Sequence, residues 1–361
     1  MTYSYNIFTA LSRDTGDISE TPSGTEVTTG LWTGDTGSLS TVFTSSVQFG
    51  VSGEYYYDLY NLNPATSQSA EVQFSVAYGH VSGGGSPPLD PTVLGGTSTL
   101  PTQVTYTQYR NILLNRGETR FAFTTSSYTD DIYVVNVSRS RLKQALDPGN
   151  WQLGLSGSKG IRTFIDDSGL GTAVVGNLVA SNVYKIRSGS LSAGINTGDN
   201  NVYGLVFPDY GVILLQPSLI SSSVGLTPPA NDARNTPSVP FAPFTGSVTG
   251  YQYQHEGLVR SISGSMAAGS PFVARSAESI TSVNYFVNLG SSKYNYSNNP
   301  TYYTGSLPQL VLPAFRNKPI TYVTTIGLYN DANELLAVAK LSRPVEKSTD
   351  KAVLVRVRLD Y

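Results

Sequence analysis

Apolar and polar residues alternate along several short segments of the chain, the pattern expected of β-strands that bury one face. Residues 71–78 show this alternation most regularly, and the apolar side chains on one face of that predicted strand are Val72, Phe74, Val76 and Tyr78. Residues 131–137 and 282–289 are further predicted strands, and residues 202–215 are predicted to form two strands around a Pro-Asp-Tyr-Gly turn. Strands are therefore expected to dominate the fold.

The C-terminal part of the chain predicts a hairpin followed by one more strand. Residues 322–329 and 335–341 are apolar runs, and the Asn-Asp between them is typical of a turn. A helix over residues 332–341 is the alternative, because Ala, Glu, Leu and Lys favour helices. The final strand, residues 352–361, is expected to be either central to its module or an edge completed by another chain.

Two segments predict short helices. Residues 138–146 begin with a serine that can cap a helix and are followed by Asp147-Pro-Gly, which ends one. Residues 104–115 could hold a second short helix. The predicted fold class is therefore mainly β, with antiparallel sandwich-like modules and one or two short helices.

The chain is long enough for two or three modules. A Pro-rich passage, with five prolines between Pro228 and Pro243, is the most distinct break in the pattern. The predicted organisation begins with an N-terminal β-rich module over residues 1–155, which carries the short helix near 138–146, and a middle β region over residues 156–225. A Pro-rich linker or excursion follows over residues 226–244. A C-terminal β module over residues 245–361 ends in the hairpin and final strand.

Composition changes the picture from a generic β protein to a candidate assembly subunit. Only 13% of residues are charged, against about a quarter in an average domain, and the net charge is −2. Such a balance argues against nucleic-acid binding, and no apolar run approaches the roughly 20 residues of a membrane span. Uncharged polar residues and 24 tyrosines take the place of the missing charged residues. Interfaces favour Tyr and disfavour Lys, Glu and Asp.

Few residues could carry out chemistry. The absence of cysteine excludes disulfides and thiolate zinc sites, and the two histidines, His80 and His255, lie far apart in sequence. The acid pairs Asp130-Asp131 and Asp166-Asp167, and the Gly-rich segment 154–160, are interpreted as turns. We therefore predict no catalytic, cofactor-binding or metal-binding residues, and a protein that is not an enzyme.

Tyrosine clusters and the final strand are the candidate interaction residues. The clusters could stack on sugars, but filling a β core and subunit interfaces is the preferred interpretation. The candidate interface residues are Tyr55, Tyr56, Tyr57, Tyr294, Tyr296, Tyr302, Tyr303, Val353, Val355, Val357 and Tyr361.

Several segments, taken in order along the chain, resemble one family. They are residues 70–80, 107–114, 138–151, 203–211, 274–282, 295–300 and 322–361. Together they resemble virion structural proteins of T4-like contractile-tailed phages of the cyanophage and marine myophage type. The C-terminal hairpin is also similar to segments of baseplate and tail-fibre proteins. The region before Ser45 and residues 226–244 depart from this pattern, and a lineage-specific contact could lie there.

The resemblance implies a non-enzymatic virion subunit that is assembled in the host cytoplasm. Its expected place is the baseplate or tail periphery, followed by a fibre or receptor-binding role and then by a capsid or neck decoration. Its expected partners are other virion proteins and further copies of itself, with host-surface glycan as the partner in the fibre alternative. A polysaccharide depolymerase is the remaining alternative from another class.

Overall fold

The structure, a computed structural model, describes residues 23–44, 55–83, 100–124, 127–170, 182–226, 254–297, 300–304, 309–330 and 332–360. The chain divides into two compact units, of which the larger is Val27–Glu278 and the smaller contains Ser279–Tyr361. Apart from Leu226, the predicted Pro-rich linker lies outside the described residues, as does Tyr361.

In the described residues the larger unit contains short strands and four α-helices, and its first strand has residues in both units. Its strands in chain order are β1 (Ser23–Gly30), β2 (Ser38–Leu39), β3 (Phe43–Thr44), β4 (Tyr56–Tyr60), β5 (Val72–His80), β6 (Phe121–Thr124), β7 (Ser127–Thr129), β8 (Asp131–Val137), β9 (Ala145–Leu146), β10 (Leu153–Gly157), β11 (Gly160–Asp166), β12 (Tyr184–Ser190), β13 (Gly194–Ile195), β14 (Gly204–Phe207), β15 (Val212–Leu215) and β16 (Phe272–Val273). Its α-helices are α1 (Leu100–Leu113), α2 (Arg139–Leu142), α3 (Pro217–Ile220) and α4 (Gln254–Ala267). Single helical turns of other types lie at Ser168–Leu170, Pro208–Tyr210 and Ser221–Gly225.

A ten-stranded antiparallel sheet organises this unit, in the order β10-β11-β12-β14-β15-β8-β5-β4-β3 with β13 beside β12. Its central strands carry apolar side chains on both faces, and every residue of β14 and β15 is buried. Along β8, Tyr133 and Val135 enter one core while Ile132 and Val134 enter the other. Both faces of the sheet must therefore be covered.

Helix α1 and the β6–β7 hairpin cover one face. Tyr106 of α1 lies in that core beside Phe121, and its hydroxyl donates to the Thr129 carbonyl oxygen at 2.9 Å. The helix approaches the sheet closely at Gly79, where a Cβ would lie 2.8 Å from the Tyr106 nitrogen. Only glycine accommodates that approach without displacing the helix.

Helix α4 covers the other face, and no pattern in the sequence predicted it. It contains three serines and two glycines, residues of modest or poor helix propensity. Those small residues let the helix lie directly on β10: a Cβ at Gly264 would lie 2.5 Å from the Ser156 hydroxyl, and Ser261 donates its hydroxyl to the Ser156 carbonyl at 2.7 Å. Close tertiary packing outweighs local propensity here.

The predicted fold class is confirmed, because the described residues are mainly antiparallel strands with few short helices. The helix predicted near 138–146 is shorter, since α2 ends at Leu142, Lys143 has φ +55°, and β9 follows at once. The predicted boundary between the first and middle modules, at residue 155, falls inside β10, so both modules contribute strands to the same sheet.

The smaller unit contains the C-terminal strands. Strand β17 (Arg275–Leu289) has residues in both units, and the strands that follow are β18 (Tyr303–Thr304), β19 (Gln309–Leu310), β20 (Ile320–Tyr329), β21 (Leu335–Ser348) and β22 (Val353–Asp360). Single 3₁₀ turns lie at Pro300–Tyr302 and Pro313–Arg316. The predicted hairpin and final strand are confirmed as β20–β21 and β22, and the helical alternative for residues 332–341 is wrong.

Replacing Gly79 tests the close approach of α1 to the sheet. Gly79→Val is expected to lower the free energy of unfolding by about 1–3 kcal/mol, because the new side chain collides with the backbone of Tyr106. The measurement is urea unfolding followed by tryptophan fluorescence. Gly169→Ala is the control, since nothing lies within 4 Å of a Cβ there. Equal stability of the two variants would contradict this packing.

Candidate interaction surface

The β20–β21 hairpin is closed by a turn that Asn330 organises. Its side-chain oxygen accepts the Glu334 backbone N–H at 2.8 Å, and its backbone N–H donates to the Glu334 carbonyl at 3.0 Å. Asn333 has φ +61°, a conformation that Asn tolerates better than most residues. The turn sets the register, with Tyr329 opposite Leu335.

The base of the hairpin packs on the core of the smaller unit, whereas its distal part extends past that core. Val323, Ile326, Leu341 and Val345 pack against the cluster formed by Leu289, Val353 and Val355, and none of the hairpin's described residues between 327 and 340 joins it. An irregularity in the pairing lies close to this boundary, because Val323 pairs with Val345 and Thr325 pairs with Lys340. Such bulges bend a strand and redirect its side chains.

We call residues 327–340 the hairpin arm. Large apolar side chains are exposed along it, with Leu336 at 67% and Val338 at 51% of full exposure, and Tyr329 and Leu335 are exposed as well. Among the described strands, β20 and β21 pair only with each other. An isolated two-stranded hairpin is marginally stable in water, and exposed apolar patches typically mark contact sites. The arm therefore has the features of a surface that a partner covers.

A buried lysine anchors the base of the hairpin. The Lys347 ammonium donates to the carbonyl oxygens of Ser291 and Ser348 at 3.0 and 2.9 Å, and to the Asn295 side-chain oxygen at 2.6 Å. These three bonds use all three of its N–H donors. No described carboxylate pairs with it, and burial lowers the pKa of Lys347. The lysine thus ties the loop that contains Ser291 and Asn295 to β21.

The final strand has one buried and one exposed face, as its alternation predicts. Val353, Val355 and Val357 are buried, so the structure places these three candidate interface residues in the core of the smaller unit. The strand pairs with β17 from Val353 to Asp360, and no other described strand within the unit pairs with its second edge. Leu354 is 66% exposed. Among the described strands, β22 is therefore an edge strand and not a central strand of its module.

The candidate tyrosines fall into both units and have different environments. Tyr57 is buried with its ring centroid 5.4 Å from that of His255, whereas Tyr55 and Tyr56 are exposed. In the smaller unit, Tyr302 stacks on Phe315 at 5.3 Å. The other candidate tyrosines that the structure describes in that unit are half-buried Tyr294 and Tyr303 and exposed Tyr296. Part of the tyrosine content therefore fills cores, as the preferred interpretation expected.

The side chains of the two acid pairs form hydrogen bonds or ion pairs with neighbouring residues. Both carboxylate oxygens of Asp166 accept the Gly149 N–H, and Asp167 accepts the Lys185 N–H at 2.8 Å. Asp131 accepts the Tyr78 hydroxyl at 3.2 Å, and burial raises the pKa of its carboxyl group. Asp166 ends β11 and Asp167 follows it at a bend, while Asp131 begins β8 and Asp130 forms an exposed ion pair with Arg120.

The remaining candidates for chemistry have local roles as well. His80 accepts the Ser82 N–H through Nδ1 at 3.1 Å, and residues 154–160 form the β10–β11 hairpin, whose turn is Ser158-Lys159. Within the described ranges, no group of three or more His, Asp or Glu side chains could hold a metal ion. Across those same ranges, no helix has the length and apolar character that crossing a membrane requires.

Comparisons with known proteins return no match: no protein-family model, curated protein or solved structure is similar to the chain. The resemblance to phage virion proteins therefore stays a prediction. The hairpin arm was not among the candidate interface residues, because a run such as Leu335–Ala339 is equally typical of a buried strand. Only the lack of further pairing strands marks it as a surface.

Replacing Lys347 tests its role as an anchor. Lys347→Met is expected to destabilise the smaller unit by about 2–4 kcal/mol, because three oxygens lose their donor. The measurement is hydrogen–deuterium exchange of residues 291–297, which should accelerate. Lys351→Met is the control, because Lys351 is exposed. Unchanged exchange in the Lys347 variant would show that the lysine does not hold this loop.

The half-buried Asp131 carboxyl group predicts a pH dependence. Since its folded-state pKa is raised above 3.8, its contribution to stability is present at lower pH and is lost as pH rises through the folded pKa. Asp131→Asn removes that loss, so the stability of the variant relative to the parent should increase from pH 4 to pH 7. Urea titrations across this range provide the measurement, with Asp35→Asn, an exposed carboxylate of the same unit, as the control. A relative stability that falls with pH would contradict the assignment.

Proposed function

We propose that the chain is a non-enzymatic structural subunit of a tailed phage particle, a baseplate or tail-periphery component that connects neighbouring virion proteins. The hairpin arm carries this proposal, because its exposed Leu335, Leu336 and Val338 need a partner to remove them from water. A protein that works by binding needs such a surface and no reactive site.

Composition supports the same function. A chain with 13% charged residues presents hydroxyl and amide groups in place of ions, and desolvating those groups on assembly costs less than desolvating charges. The ionisable groups that were candidates for chemistry serve turns and strand ends instead, as Asp166 and His80 do. The resemblance of residues 322–361 to virion proteins covers the hairpin arm and the final strand.

The physical mechanism is attachment through sheet edges and exposed faces. Strand addition to an edge uses main-chain hydrogen bonds for affinity and alternate side chains for specificity. The second edge of β22 and both edges of the β20–β21 hairpin provide such sites among the described residues. The cytoplasm in which a phage particle assembles is reducing, and a chain without cysteine needs no disulfide there.

A receptor-binding fibre protein that contacts host-surface glycan is the second candidate. The observation that favours it lies on β4, where Tyr56, Asp58 and Tyr60 occupy one side of the strand because side chains alternate. Asp58 accepts the Ser75 hydroxyl at 2.5 Å, which orients its carboxylate. Aromatic rings and an oriented acid are groups that bind sugars. Binding of purified protein to host polysaccharide, and its loss in Tyr56→Ala, would favour this candidate.

Incorporation into particles tests the proposed function. We expect an epitope-tagged chain to copurify with phage particles, and Leu336→Glu with Val338→Glu to lower its incorporation at least about tenfold, since a binding loss of ~1.4 kcal/mol suffices. Leu170→Glu is the control, because Leu170 is 63% exposed but lies in the larger unit. Absence of the parent chain from purified particles would overturn the proposal, and equal incorporation of both variants would remove the hairpin arm as its basis.

A further inference from the structure

Strand β21 exposes a long second edge in the described part of the smaller unit, apart from a single bridge between Ser348 and Lys351 at its C-terminal end. The strand has 14 residues and is paired with β20 along one side, while no described strand pairs with the other side. Its residues from Leu335 to Lys340 are exposed or half-buried. The apolar segment Leu335–Ala339 of this edge, with unpaired N–H and C=O groups, is a template for pairing with another strand.

Charge along this edge identifies the partner. The segment reads Glu334-Leu-Leu-Ala-Val-Ala-Lys340, so that one acid and one base stand three residues on either side of Ala337. Neither Glu334 nor Lys340 forms an ion pair within the described residues. The Glu334 carboxylate accepts the Asn330 side-chain amide at 2.8 Å and remains exposed.

We propose that this edge of β21 pairs antiparallel with the same strand of a second copy of the chain, about a two-fold axis through Ala337. In that register each Glu334 faces Lys340 of the other copy, and Leu336 faces Val338. The inference rests on the proposed function, because it names one neighbour of the subunit. A two-fold contact uses the same patch on both copies, which is why a self-complementary segment favours a second copy over a different protein.

Register is specific because neighbouring alignments lose both charge pairs. An axis through Leu336 places Lys340 opposite Ala332, and an axis through Val338 places Glu334 opposite Ser342. Of these three axes, only the one through Ala337 pairs both charges. The two hairpins then form one four-stranded sheet, and three or more strands with an apolar face give the stability that two strands lack.

Single cysteines test the axis directly, because the chain has none of its own. A residue on the axis faces its own copy at a Cα separation of about 4.5–5.5 Å, which a disulfide spans. Oxidised Ala337→Cys is therefore expected to run as a covalent dimer. Ala339→Cys is the matched control: its two copies lie about 13 Å apart, four residues along the strand, and should not link. Equal linking of both variants, or of neither at high protein concentration, would overturn the register.

Charge reversal tests the pairing without a covalent bond. Glu334→Lys and Lys340→Glu should each weaken the dimer about tenfold or more in sedimentation equilibrium of the full chain, because like charges then face each other. The double variant should recover the affinity of the parent. A parent that is monomeric at every concentration, or variants that bind as it does, would overturn the inference. A dimer that is absent from particles would instead overturn only the proposed function.

Discussion

The cost of exposing an apolar sheet face determines how this chain folds. In the larger unit, β8, β14 and β15 carry apolar side chains on both faces, so the ten-stranded sheet needs a layer on each side. Helix α1 and the β6–β7 hairpin provide one layer, and α4 provides part of the other. The hairpin arm carries apolar side chains of the same kind and lacks any such cover among the described residues. The cost of exposing apolar side chains to water therefore holds the layers of the larger unit together, and it makes the hairpin arm of the smaller unit a candidate for assembly.

Sequence patterns predicted the elements whose stability is local. The alternation of β22, the turn chemistry of Asn330 and the strand at β8 all appear at the expected positions. Helix α4 was missed, because its serines and glycines are selected by contact with β10 and not by helix propensity. For the candidate site, the alternation predicted that Val353 and its neighbours face one way, but exposure of the arm depends on which strands pair beside it. A linear pattern does not contain that information.

Ionisable groups support an account in which the protein acts by binding. The buried Lys347 holds a loop to the hairpin base, and Asp166 holds a turn. Asp131 is half-buried at a strand end, where it accepts the Tyr78 hydroxyl. Each of these groups is satisfied by local hydrogen bonds instead of converging on a cleft. The exposed Glu334 and Lys340 of the arm are different, since they are positioned to pair with groups outside the unit.

Where the protein lies on an intact particle tests the central claim most directly. Immunogold electron microscopy with an antibody against the folded chain locates it without altering any residue. A structural subunit of the baseplate or tail periphery predicts label at the tail end or along the tail surface, in a constant number of copies per particle. Unlabelled particles, with the protein recovered only from the soluble fraction of the host lysate, would contradict the account.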